Sequence, residues 1–136
     1  GGLAETKFLD WLAQSLVPML SGLAPFPTIV GVVLAFFALH YFFASITAHI
    51  TAMFTPFLVV LLAAGAPPLI AVLFLAYFSN LGAALTHFGT TTSPIYFGAG
   101  YVSQRDWWRL GLIVALATMS IFTAVGLGWW KLLGWW

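Results

Sequence analysis

Hydroxyl groups and backbone amides, rather than acids or bases, carry the polar chemistry of this 136-residue chain. Two short segments concentrate them: Ser45-Ile46-Thr47 and Thr90-Thr91-Thr92-Ser93-Pro94. Both are set in strongly apolar sequence, and no Lys, Arg, Asp or Glu occurs between Asp10 and Arg105. Amides freed at the N-terminus of a half-helix, helped by the helix dipole, bind carboxylates without a buried Arg. Carbonyls exposed at an unwound break coordinate cations. An anion site built this way avoids most of the roughly 2.5–3.5 kcal/mol that inserting a central Arg or Lys costs. The ligand so read is a small anion. A lone S-x-T would instead be read as a packing contact, since Ser and Thr commonly hydrogen-bond within and between membrane helices. Two polar breaks within one hydrophobic stretch favour the site.

Three histidines offer other chemistry. His40 and His49 flank the first segment, and His87 precedes the second. Haem or metal ligation and proton relay are the functions such residues could serve. Metal sites draw several ligands with supporting acidic groups, and none lies nearby, so no metal and no cofactor is expected. A structural role or a hydrogen bond to substrate is the expected one, with Na+ or H+ coupling left open. Hydrolysis is excluded by the lack of G-x-S-x-G, H-E-x-x-H and any carboxylate between Asp10 and Arg105. There is no G-x-x-x-x-G-K-[ST] loop and no cysteine. Lys7, Arg105, Arg109 and Lys131 form no basic patch, so nucleic acid is not an expected partner. The chain is not read as an enzyme.

The elements that must position these groups are helices in a bilayer. The chain is 62% hydrophobic and 5% charged, with mean hydropathy +1.06. Soluble domains carry roughly 25% charged residues, so this is read as an all-α integral membrane protein whose first partner is lipid. Residues 1–24 are expected to form an interfacial amphipathic arm, with Trp11 at headgroup level. Residues 25–66 are read as a re-entrant helical hairpin with Ser45 and Thr47 at its tip. Its two arms are about 16 residues each, short of the roughly 20 that span a bilayer; a pair of short spanning helices is the competing reading. Residues 67–104 are read as a discontinuous transmembrane helix: an apolar half over 69–78, the polar break, then resumption at 95–97. Residues 105–136 form the last transmembrane helix, anchored by Trp107 and Trp108 at one end and Trp129, Trp130 and Lys131 at the other. That is room for one transporter repeat, where transporters commonly pair two inverted ones. A missing N-terminal repeat or a second copy is therefore expected, and the chain is read as a piece of something longer.

The run S-N-L-G-A-A-L-T-H-F-G-T-T-T-S-P-I-Y-F-G-A-G-Y-V from Ser79, followed by Trp107-Trp108-Arg109-Leu110-Gly111, resembles a known family. It is similar to the C-terminal half of the divalent anion/sodium symporters, in the branch of 2-oxoglutarate/malate translocators and citrate/succinate antiporters. F-A-S-I-T-A-H-I-T-A from Phe43 fits the same branch. The resemblance implies a re-entrant hairpin and a discontinuous helix in each repeat, with substrate carboxylates held between two hairpin tips. It also implies a transport domain that moves elevator-fashion against a scaffold, in a homodimer of the full-length protein. Carried over, Ser45 and Thr47 are tip contacts. Thr90, Thr91, Thr92, Ser93 and Pro94 form the break facing them, and Asn80, Thr86 and His87 line the neighbouring helix.

Two departures from the family pattern matter. Ile46 stands where sodium-coupled members have Asn, which favours exchange over sodium symport. Thr91-Thr92-Ser93-Pro94 replaces the Gly-Pro-Ala/Ser-Pro more usual in the translocator branch. The expected function is the C-terminal portion of a dicarboxylate transporter (malate, 2-oxoglutarate, succinate or similar) in a bacterial inner membrane or plastid envelope. The competing class is a small accessory membrane subunit docked on a larger partner.

Overall fold

A computed structural model describes residues 25–135 together with Gln14, Ser15 and Pro18. The interfacial helix expected over residues 1–24 lies, apart from those three positions, outside the described residues.

Helix α1, Pro25–Leu39, opens on Pro25 and Pro27, placed where a missing N–H costs no helical bond. It tightens into a 3₁₀ turn at His40–Phe42, which Phe43 leaves in extended conformation. Ser45, also extended, caps α2, Ile46–Ala63. The turn is thus Phe43 to Ser45, and Thr47 already belongs to the helix. Pro56 sits inside α2, so the Ala52 carbonyl lacks its usual amide donor. The C-terminus of α2 is closed by Ala66 N–H donating to the Leu61 carbonyl and Gly65 N–H to Leu62, both at 3.0 Å. This double bond needs a left-handed residue, and Gly65 supplies it at φ +83°.

Pro67 and Pro68 then start α3, Pro68–Leu81, which runs into a 3₁₀ turn at Gly82–Ala84. The apolar half-helix is therefore longer than 69–78. After an irregular stretch the chain resumes helix only briefly, as α4, Ser93–Gly98. The last helix, α5, runs Gln104–Leu132. Its start is a serine N-cap: Ser103 Oγ accepts from Asp106 N–H at 3.1 Å and donates to Asp106 Oδ2 at 2.6 Å. That pairing starts the helix at Gln104, one residue before the expected 105.

Helix α3 is the centre of the packing and touches α1, α2 and α5. Its buried face is Ile70, Ala71, Phe74, Leu75, Phe78 and Ser79, the i, i+4 spacing of one helix side. Val33, Phe36 and Phe37 of α1 and Leu61 of α2 complete the core. Edge-to-face rings lock it: Phe37 on Phe78 at 6.4 Å and Phe74 on Trp130 at 5.3 Å.

Helix α5 contributes a narrow stripe, Gly111, Ala115 and Met119, and exposes Leu112, Ile113, Val114, Leu116, Ile121 and Phe122. An apolar exterior of that extent belongs in lipid or against further protein. Helices α2 and α5 are both long and apolar enough to cross a membrane, although α2, at 1.5 Å per residue, reaches only about 27 Å. Among the described residues all regular structure is helical. This is an all-α integral membrane protein.

Candidate functional site

The tip is built by one cap. Ser45 Oγ accepts from Ala48 N–H at 3.1 Å, and the Ser45 carbonyl accepts from His49 N–H at 3.1 Å. The amides of Ile46 and Thr47, ahead of these two, fall outside the helical ladder. They sit at the positive end of an 18-residue helix dipole. Thr47 is exposed and Ser45 half-buried. Ile46 offers only its backbone.

The break is built differently. Thr90 Oγ1 accepts from Ser93 N–H at 3.0 Å and pairs with Ser93 Oγ at 2.6 Å and Thr92 Oγ1 at 3.2 Å. Pro94 has no N–H to offer, and the Thr92 carbonyl accepts from Ile95 N–H at 3.0 Å. The first-turn amides of α4 are therefore committed inside the segment. What this break presents is hydroxyls, with Thr91, Thr92 and Pro94 exposed and Ser93 buried. Of the two polar segments, the tip is the one with amides to spare.

Among the described residues, no hydrogen bond joins Ser45 or Thr47 to residues 90–94. His40 packs against residues adjoining both segments, Gly89 before the break and His49 in the first turn of α2. A Cβ on Gly82 would lie 3.1 Å from the His40 ring, and one on Gly89 would lie 3.0 Å from His40 Nε2. Only glycine leaves room for the imidazole at both positions. The His40 ring also meets His49 edge-to-face, with centroids 5.1 Å apart.

The neighbouring residues divide in two. His87 Nδ1 accepts a hydrogen bond from Trp108 Nε1–H at 3.1 Å, which places the neutral imidazole proton on Nε2. Phe97 packs on the same imidazole at 4.4 Å, and Tyr41 meets the Trp108 indole edge-on at 5.8 Å. This aromatic cluster ties the hairpin, the break and α5 together. Asn80 is exposed and donates to the Ala76 carbonyl at 3.1 Å. Thr86 is fully buried, and its Oγ1 has no partner.

His40, Gly89 and Trp108 are the positions that reading the residues in order did not connect. Trp108 stands out in sequence only as an interfacial anchor, because its partner His87 is 21 residues away.

A cavity of about 410 Å³ opens between α1, α3 and α5. Phe26, Val33, Phe74, Met119 and Leu127 are among its walls, and the hydroxyl residues lining it are Ser120, which donates to the Leu116 carbonyl at 2.8 Å, and Thr123. Walls so largely apolar, without a cation, offer little to a carboxylate. The polar ends of the hairpin and break are richer in amides and hydroxyls than this cavity.

Comparison with known proteins places these features in a family. The chain is 43% identical over 138 residues to dicarboxylate transporter 1, chloroplastic, of Arabidopsis thaliana, covering all of this chain and 25% of the relative. It is 41% identical over 138 residues to dicarboxylate transporter 1, chloroplastic, of Spinacia oleracea, covering all of this chain and 24% of that protein. To the L-tartrate/succinate antiporter of Escherichia coli it is 37% identical over 129 residues, covering 94% of this chain and 26% of that protein. The chain thus spans about a quarter of the length of these relatives. They are transporters, not enzymes. The profile of the sodium:sulfate symporter transmembrane region matches residues 1–136, and the chain belongs to that family of integral membrane proteins.

Proposed function

We propose that the chain is the C-terminal portion of a secondary transporter for small dicarboxylates, with the Ser45–Thr47 tip and the 90–94 break as its share of the substrate site. The observation that carries this is the start of α2. There a Ser-capped helix leaves two amides unspent in a stretch that contains no Lys or Arg. Helix N-termini of this kind hold carboxylates in transporters. The hydroxyls of the break would complete the coordination from the other side of His40. Relatives named for dicarboxylates and for tartrate/succinate exchange support the substrate class.

The chain covers a quarter of those relatives, and the rest of the full-length protein would supply the second tip. Transport would proceed by elevator-type alternating access in a homodimer. Ile46 in place of an amide side chain favours exchange of one dicarboxylate for another over sodium symport. The apolar arms of α1 and α2, with their polar end at Phe43–Ser45, suit a re-entrant hairpin. By kinship with its relatives the protein would reside in a plastid envelope or a bacterial inner membrane.

The test is counterflow of labelled malate, 2-oxoglutarate and succinate by the full-length protein in vesicles. Ser45→Ala with Thr47→Ala should abolish exchange while membrane insertion stays intact. Normal exchange by that double variant removes the tip from the site. Absence of dicarboxylate binding, with an unlike chain co-purifying in fixed ratio, would show an accessory subunit instead.

A further inference from the structure

We propose that His40 and His49 form a shared proton site that takes up one proton as the dianion binds. This rests on the dicarboxylate reading and adds the coupling chemistry to it. Both side chains are completely buried, and none of their four ring nitrogens makes a hydrogen bond of good geometry, the backbones of Gly89 beside His40 and of Phe36 beside His49 offering only poorly aligned contacts. Buried polar atoms in folded proteins are nearly always bonded. Two adjacent exceptions, with rings 5.1 Å apart, call for a functional account.

A third unpartnered group joins them. Thr86 Oγ1 lies 2.9 Å, and His40 Nε2 3.0 Å, from the point a Cβ on Gly89 would occupy. The backbone N–H of His49 binds the Ser45 carbonyl of the tip, and His40 packs against Gly82 of the 3₁₀ turn and Gly89, the residue before the break.

Charge completes the argument. Between Asp10 and Arg105 the three histidines are the only side chains that can become cations near neutral pH. His87 is held as an acceptor by Trp108, which a proton on Nδ1 would break. His40 and His49 carry no such restraint. The groups facing them are Phe36 of α1 at 4.4 Å and Phe43 of the turn at 5.2 Å from His49, and Gly82, Thr86 and Gly89 of the break beside His40. None of these titrates. Tyr41 and His87 are both engaged with Trp108, and the charged residues of α5, Arg105, Asp106, Arg109 and Lys131, are exposed.

A dicarboxylate brings two negative charges to this apolar stretch. Buried charge is costly unless compensated, and one imidazolium beneath the tip supplies compensation. A second at 5.1 Å would be repelled by the first, so the pair holds one proton, not two.

The experiment is calorimetric titration of succinate into the purified full-length transporter in buffers of different ionisation enthalpy, repeated across pH. The wild-type protein should take up about one proton per succinate, and binding should tighten by up to about tenfold per pH unit as pH falls. His40→Gln, His49→Gln and their combination should reduce the uptake toward zero. Succinate binding with no buffer or pH dependence overturns the proton site and leaves the transporter reading standing. Undiminished uptake in a folded double variant removes these two histidines from the role. No succinate binding by the folded wild-type protein overturns the transporter reading, and the proton site falls with it. If the variants do not fold, the wild-type titration still decides.

Discussion

Gly111 of α5 lies directly against the backbone carbonyl of Ala84, so close that any side chain at 111 would overlap it. That contact presses the last helix onto the 3₁₀ turn just before the break. Ala115 and Met119 continue the same buried stripe, a small-residue approach of the kind membrane helices use. Gly111→Ala must therefore push α5 away or distort the turn, at about 1–3 kcal/mol, as overpacking does. Gly128, on the same helix, has open space around it, and Gly128→Ala should gain about 0.5–1 kcal/mol of helix propensity. Thermal unfolding of the detergent-solubilised protein should shift in opposite directions for the two variants. Equal shifts would mean that the approach at Gly111 is not tight.

The indole of Trp108 does two separable things. It donates to His87 Nδ1 and meets Tyr41 edge-on. Trp108→Phe keeps an aromatic ring for Tyr41 but deletes the donor, at about 0.5–1.5 kcal/mol. It also releases the tautomer of His87. Nitrogen NMR of histidine-labelled protein should show His87 protonated only on Nε2 in the wild type and a mixture in the variant. Identical His87 signals in both proteins would count against the bond.

Much of this architecture is legible in the sequence because apolar blocks are punctuated by residues with known backbone demands. Gly65, Pro67 and Pro68 close one helix and open the next where their chemistry predicts. The polar run from Ser79 to Ser103 marks a break by composition and carries the family resemblance that the comparisons bear out. Less visible is how each polar segment spends its hydrogen bonds. Thr90 looks like a free hydroxyl in sequence, yet its Oγ1 is consumed by the Ser93 N–H and hydroxyl at the start of α4. His40 and Gly89 become neighbours only when the hairpin folds against α3, and no local pattern encodes a pair 49 positions apart. The cavity between α1, α3 and α5 arises from helix spacing and leaves no trace in residue order.

Ser45 and Thr47 should separate under single substitution. Ser45 caps α2, so Ser45→Ala costs about 1 kcal/mol of stability besides any effect on substrate. Thr47 is exposed and its hydroxyl makes no hydrogen bond among the described residues. Thr47→Ala should therefore stay within about 0.5 kcal/mol of wild type, while raising the half-saturation concentration for dicarboxylate exchange in vesicles. A Thr47→Ala protein that exchanges with unaltered half-saturation takes that hydroxyl out of the substrate site.

Gly89 offers a test of the buried cluster that does not touch the histidines themselves. A methyl group there would sit 2.9 Å from Thr86 Oγ1 and 3.0 Å from His40 Nε2, so one of the two must give way. Gly89→Ala should destabilise by about 1–3 kcal/mol. Thr86→Ala removes one of the crowded atoms and also the unpartnered hydroxyl, whose burial without a bond is itself costly. The double variant should then recover part of the loss, with a coupling of about 0.5–3 kcal/mol in the range found for contacting residues. Denaturant or thermal unfolding of the four proteins in one cycle measures that coupling directly. Strict additivity would mean that Thr86 Oγ1 is not what a methyl group at position 89 collides with. A positive coupling would leave His40 as the remaining close atom, and adding His40→Gln to the cycle should then reveal the rest of the strain.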